Sequence, residues 1–156
     1  MSNNTNGIPA QISTILKEPN QDWKELLVAI LKFYDCTTGT LHFLDKNSLL
    51  QLETQIGIPD FLIPKLTTIP IGKGMAGIAA ERMKPVEMCN LQTDDSGVAR
   101  PSAKDTKVEG SLAAPLILKG KLYGTIGIAK PIPYDFTKEE MDLLMTIGAA
   151  ICEKIN

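Results

Sequence analysis

The chain has 156 residues and a mass of 17.0 kDa, enough for one domain core and little more. Hydrophobic residues make up 44% and charged residues 22%, the balance of a folded globular domain, which excludes a disordered chain or a fibrous repeat. Sixteen Lys and Arg against eighteen Asp and Glu give a net charge of -2 with no clustered basic surplus, so nucleic acid is excluded as a direct ligand.

Residues 1–7 read as a flexible polar tail and 8–156 as a single domain. Ile8 to Lys17 suits a short helix, with Pro9 in its first turn and Pro19 as its stop. Asn20 can cap the next helix, in which Trp23, Leu26, Leu27, Ile30, Leu31, Phe33 and Tyr34 recur at helical spacing from about residue 21 to 35. Thr37 to Asp45 and Ser48 to Ile56 form an antiparallel hairpin around Lys46-Asn47. Alternation in its first strand puts Leu41 and Phe43 on one face and Thr40, His42 and Leu44 on the other. Pro59 to Lys65 suits a short helix, and Thr67 to Ile71 a short strand that Pro70 confines to an edge or an end.

Gly72-Lys73-Gly74-Met75-Ala76-Gly77 opens a helix that runs to about Met83, and Pro85 to Cys89 is a further short strand. Asp94 to Gly110 has no period and reads as a long loop, of the kind that is functional or mobile in a compact domain. Ser111 to Leu118 and Lys121 to Lys130 make a hairpin through Lys119-Gly120. Thr137 and Glu140 form a capping box, stapled by Phe136 and Met141, for a last helix to about Lys154 whose apolar stripe buries Cys152. This order is that of an α+β domain with helices over one face of an antiparallel sheet.

The raw material for chemistry is thin. Cys36, Cys89 and Cys152 are an odd set without short spacing, which fits neither a disulfide framework nor a zinc site. With His42 the single histidine, a Ser-His-Asp triad or a Cys/His cage has little to draw on, and no metal site is expected. No apolar run approaches the ~20 residues that cross a bilayer, and Met1 to Gly7 does not lead into an apolar signal, so a cytoplasmic location and no membrane partner are expected.

Gly72-x-Gly74-x-x-Gly77 has the letters of a dinucleotide-binding fingerprint, but the preceding strand is short, holds Pro70 and belongs to a hairpin-rich chain rather than a βαβ unit. Two readings stay open for the turn: a close approach of helix and sheet, or backbone N–H groups that hold an anion. Arg100, with Lys104 and Lys107, can close over an anionic ligand or remain solvated loop charge beside Asp94, Asp95, Asp105 and Glu109. Ser111, Ala113 and Pro115 share one face of their strand, as do Thr125, Gly127 and Ala129 of the next, and such small side chains either leave room for a ligand or admit a helix.

Four stretches carry a family resemblance: Ile69 to Glu81 (IPIGKGMAGIAAE) followed by Lys84-Pro85-Val86; Ala114-Pro115-Leu116; the hairpin from Lys119 to Gly127 (KGKLYGTIG); and Tyr134 to Glu140 (YDFTKEE). In this order the chain resembles a GAF domain from about Asn20 onward. The resemblance implies a six-stranded antiparallel sheet, the first and last helices on one face, and a small-molecule pocket on the other, walled by the Gly-rich helix and the long loop. Among GAF subfamilies, free methionine-(R)-sulfoxide reductases place one cysteine in a Gly-x-Cys-Gly turn and another just before an Asp. Those positions hold Ala76 and Lys104 here, with Asp105 retained. The Asn-Lys-x-Phe-Asp signature of cyclic-nucleotide binders is absent, and the loop has neither the cysteine nor the histidine that tetrapyrrole-binding members use.

The ligand-binding residues expected from this reading are His42, Phe61, Met75, Ile78, Met88, Cys89, Arg100, Lys104, Ser111 and Ala113, with the ligand and any cofactor unassigned. His42 is either a pocket group, even a haem ligand, or a hydrogen-bonded packing residue. The expected function is a sensory or regulatory module that binds a small molecule and acts through loop ordering or dimer packing, passing its signal to a separate protein. The alternatives are a thiol-dependent reductase of methionine sulfoxide that relies on Cys89, and a dimerisation module with a vestigial pocket. A homodimer through the terminal helices would draw on Ile15, Leu16, Leu27, Leu143 and Ile147.

Overall fold

The structure, a computed structural model, describes residues 7–98, 104 and 106–155. The tail expected at 1–7 therefore lies, apart from Gly7, outside the described residues.

Helix α1 (Ala10–Leu16) opens behind Pro9. Its end is held by Gln21, whose Nε2 donates to the Glu18 carbonyl at 2.8 Å. Helix α2 (Trp23–Tyr34) is capped by Asp22, which accepts from the Glu25 amide at 3.1 Å, and it ends at Asp35 in the left-handed region. The cap is thus Asp22 and not Asn20, because Gln21 is taken up by α1 and the helical turn begins only beyond it. Strands β1 (Thr38–Leu44) and β2 (Leu49–Ile56) form the first hairpin. Its turn is tied by the Asp45 carboxylate, which accepts from the amides of Asn47 at 2.8 Å and Leu49 at 3.0 Å and from Gln51 Nε2 at 2.9 Å.

A single 3₁₀ turn (Asp60–Leu62) leads into α3 (Ile63–Leu66), then β3 (Thr68–Pro70), α4 (Gly74–Arg82) and β4 (Val86–Met88). Strands β5 (Ser111–Leu118) and β6 (Lys121–Ala129) follow, joined by Lys119 and Gly120 at φ +52° and +76°, and α5 (Lys138–Ile155) closes the described chain. The strands make one six-stranded sheet in the order β3-β2-β1-β6-β5-β4, antiparallel at every pairing. Pro70 ends an edge strand, where its missing N–H leaves no central ladder bond unmade.

Register sorts the residues of the three central strands by face. Leu41 on β1, Ile126 on β6 and Ala114 on β5 stand in one row, and with Leu112, Leu116 and Ile128 they pack under the helices, all at most 2% exposed. Buried Leu26, Leu27, Ile30, Leu144, Ile147 and Ile151 of α2 and α5 complete this core. Trp23 meets Phe43 edge to face with centroids 5.1 Å apart. Helix α5 starts at the expected capping box: Thr137 Oγ1 accepts from the Glu140 amide at 3.1 Å, and Glu140 Oε1 accepts from the Thr137 amide at 2.8 Å. It lies close on β5 at Gly148, where a Cβ would stand 3.1 Å from Leu116.

One buried cation bridges the two halves of the fold. Lys130, 5% exposed just past β6, donates from Nζ to the carbonyls of Tyr34 at 2.5 Å and Asp35 at 3.1 Å, the C-terminal end of α2. The same ammonium lies 4.5 Å from the Tyr134 ring centre. Its backbone amide donates to Gly110 and its carbonyl accepts from Glu109, both at 2.8 Å, so the residue also anchors the end of the long loop.

Candidate functional site

The opposite face of the sheet carries the small residues. Ser111 pairs with Ala129, Ala113 with Gly127 and Pro115 with Thr125; β1 continues these rows with Thr38, Thr40 and His42. At the centre of the rows stands Gly127, where a Cβ would stand 3.0 Å from Thr40 Oγ1 and 4.0 Å from the Leu112 carbonyl oxygen. Above this floor lies a cavity of about 140 Å³. Its walls are Ile58, Leu66 and Ile69 from the β2–β3 region, Lys73 to Ala76 at the start of α4, and Leu91, Thr106 and Val108 from the segment around the long loop. Among the described lining residues there is no Asp or Glu, and Lys73 is the one formal charge. A single water needs only about 10–15 Å³, so the space suits a small organic molecule.

The three glycines of the Gly-x-Gly-x-x-Gly turn each have a local reason. Gly72 and Gly74 take φ of +92° and +66°, which a side chain would strain. Gly77 lies where a Cβ would stand 2.5 Å from the Pro70 carbonyl oxygen and 3.1 Å from the Gly72 amide nitrogen. The turn is locked by the Gly72 amide donating to the Gly77 carbonyl at 2.8 Å and by the Gly77 amide donating to Lys73 at 3.1 Å. The motif therefore brings helix against strand and places Gly74, Met75 and Ala76 along the cavity; an all-antiparallel sheet offers no parallel βαβ crevice for a dinucleotide.

His42 is 1% exposed and lines the cavity. Its Nε2 lies 2.8 Å from the Leu66 carbonyl, which can only accept, so Nε2 carries the proton. Burial pushes its pKa below the usual 6.5, against a smaller opposing effect of that hydrogen bond, so the ring is neutral near pH 7 and Nδ1 is a bare acceptor. Nδ1 is buried without a partner among the described residues, and so is Oγ1 of Thr125, its cross-strand neighbour on β6. A buried polar atom left unpaired costs about 1–3 kcal/mol.

Residues 24–152 match the GAF domain family. The chain belongs to that family. The fold also matches the GAF domain of a phosphoenolpyruvate-protein phosphotransferase from Coxiella burnetii, at TM-score 0.79 and 23% identity over 93% of this chain and 88% of that one. A reduced fRMsr of Staphylococcus aureus matches at TM-score 0.70 and 19% identity over 94% and 91%. A free methionine-R-sulfoxide reductase of Neisseria meningitidis, solved with its substrate, matches at TM-score 0.71 and 17% identity over 92% and 82%. At such identities the likeness is one of fold. No curated protein matches the chain.

Within this GAF domain, His42, Met75, Ser111 and Ala113 of the expected site residues come together on the cavity. The other expected positions go elsewhere. Phe61 is 70% exposed on the 3₁₀ turn and does not line the cavity, because that turn directs Leu62 inward instead. Ile78 packs with Ala79, Val86 and Ala113, one turn too far along α4, and Met88 packs with Leu91 and Val98 beneath the edge strand. Lys104 donates from Nζ to the Asp94 carbonyl at 2.7 Å, holding the loop to itself. Arg100 and Asp105 lie outside the described residues.

Cys89 is exposed and stands beyond the end of β4, off the cavity, so it is not placed as the pocket thiol that the reductase alternative relies on. Desolvation, its hydrogen bond to the Asp135 carboxylate, and Glu87 nearby hold its thiol above the ordinary range. Burial pushes Cys36 and Cys152 up to about 12. Among the described residues no three His, Cys, Asp or Glu side chains converge as metal ligands, and no helix is long and apolar enough to cross a membrane.

Leu16, Leu27 and Ile147, expected to be spare for a partner copy, are 3%, 1% and 0% exposed and belong to the core. Sequence reasoning missed Ile58, Leu66, Ile69, Leu91 and Val108 as lining residues. The strand alternation that groups Thr40 with His42, Ser111 with Ala113, and Gly127 with Ala129 pointed toward this face.

Proposed function

We propose that this GAF domain is a sensory or regulatory module that binds a small molecule in the cavity between the sheet, α4 and the long loop. The observation that carries the reading is a space of about 140 Å³ kept open over a glycine in the middle of the sheet, with a neutral histidine at its edge. The loop supplies Leu91, Thr106 and Val108 to the wall, while the Leu91 amide donates to the Glu109 carbonyl and Gln92 Nε2 to that of Val108. A ligand that touches these residues favours the loop arrangement that touches it best, and that difference in affinity is the whole of the signal available. A separate cytoplasmic protein, or a second copy packed on the α1–α2 face with Ile15, Val28 and the 43% exposed Phe33, would receive it. No observation favours the thiol-dependent reductase: Cys89 is off the cavity, and carboxylates instead of cations surround it.

Mass spectrometry of freshly purified protein under gentle and denaturing conditions tests the reading. The expected result is an extra mass released on denaturation and missing from Gly127→Val, whose side chain fills the floor while suiting a strand. A bare mass for both proteins, with no small-molecule probe stabilising the native chain more than the variant, refutes it.

A further inference from the structure

Among the described residues, His42 Nδ1 and Thr125 Oγ1, cross-strand neighbours on β1 and β6, are buried without partners, and of the two residues His42 lines the cavity. Both are 1% exposed, so bulk water does not reach them. The Leu66 carbonyl fixes the proton on Nε2 and leaves Nδ1 able only to accept. We infer that the molecule held in this cavity presents an uncharged N–H or O–H donor to His42 Nδ1 from an otherwise apolar body. A carboxylate or phosphate oxygen has no proton to give there, and an ammonium would find no carboxylate among the described lining residues to pair with it. Leu66, Ile69 and Met75 of the lining are apolar and suit a hydrocarbon or aromatic body.

This inference rests on the cavity being the binding site, and the test separates the two. Phenol and toluene have similar size and shape and differ by one donor; each is titrated by calorimetry into the native protein and into His42→Leu. Since His42 is the only histidine, labelling the histidine nitrogens with ¹⁵N gives a single pair of ring signals, in which the bare Nδ1 is told from the protonated Nε2 by its shift. The expected results are that phenol shifts the Nδ1 resonance toward its hydrogen-bonded position while toluene leaves it in place, and that the preference for phenol over toluene falls roughly fivefold in His42→Leu, the worth of one neutral hydrogen bond. Binding of both probes with an unmoved Nδ1 and the same preference in the variant overturns the role of His42 and leaves the cavity reading standing. Failure of both probes to bind overturns the cavity reading and this inference with it. Should His42→Leu not fold, the Nδ1 shift in the native chain decides alone.

Discussion

Replacing Gly77 with alanine puts a methyl group into the tightest backbone contact of the Gly-rich turn. The new Cβ would stand 2.5 Å from the Pro70 carbonyl oxygen and 3.1 Å from the Gly72 nitrogen, and neither is the free end of a side chain. Forcing an extra carbon into such a packed site costs about 1–3 kcal/mol. The hydrogen bond from the Gly72 amide to the Gly77 carbonyl, 2.8 Å in the native turn, is strained with it, at about 0.5–1.5 kcal/mol. Against this, alanine is better than glycine inside a helix by about 1 kcal/mol. The net loss is about 0.5–3.5 kcal/mol, which for a domain of this size lowers Tm by about 1–14 °C. Urea unfolding and calorimetry of Gly77→Ala measure it directly. Gly120→Asn is the control: its φ is +76°, which asparagine tolerates, and nothing lies within 4 Å of its Cβ, so little change is expected. A Gly77→Ala protein as stable as the parent would show that the third glycine of the motif does not serve close approach. Because Gly74, Met75 and Ala76 line the cavity from the same turn, a destabilised variant should also bind phenol less tightly.

His42 is buried neutral with a depressed pKa, so between that pKa and the unfolded value near 6.5 the unfolded chain binds the extra proton. Its contribution to stability is therefore complete above about pH 6.5 and is lost as the pH falls below it; urea unfolding from pH 5 to 7.5 should show a positive slope that His42→Leu flattens, and an unchanged slope in the variant refutes the argument. Among the thiols, Cys89 should react with a disulfide reagent slowly at pH 7 and roughly tenfold faster per unit of added pH, as its raised pKa requires, whereas Cys152 should react only on unfolding; rapid labelling of Cys89 at pH 7 contradicts the carboxylate environment drawn for it. Thr137→Ala removes the reciprocal cap of α5 and should cost about 1 kcal/mol, or about 2–4 °C in Tm, while Thr137→Ser keeps it.

The parts of the fold that announced themselves in the sequence are those whose signal is local. Lys119-Gly120 needs two left-handed residues between apolar strands, and Thr137 with Glu140 needs only four residues to close a cap, so both stand where the sequence places them. Asn20 misleads because any of several short polar residues can cap, and the choice of Asp22 depends on Gln21 turning back to α1. The cavity floor was half readable, since alternation groups Thr40 with His42 and Ala113 with Ser111, but which of two faces stays open depends on where the helices settle. The walls carry no period at all: Leu91 and Val108 come from irregular chain, and whether Phe61 or its neighbour Leu62 turns inward follows from a single 3₁₀ turn.

Lys130 joins the end of the long loop to the end of α2. Its backbone is paired with Glu109 and Gly110, next to the Val108 of the cavity wall, and its ammonium holds the last carbonyls of α2 on the far side of the sheet. The loop end beside the cavity and the end of the helix are therefore held by the same residue, through its backbone on one side and its ammonium on the other. Two surfaces on opposite sides of one sheet, the cavity wall at Val108 and the C-terminal end of α2, thus share one fastening point.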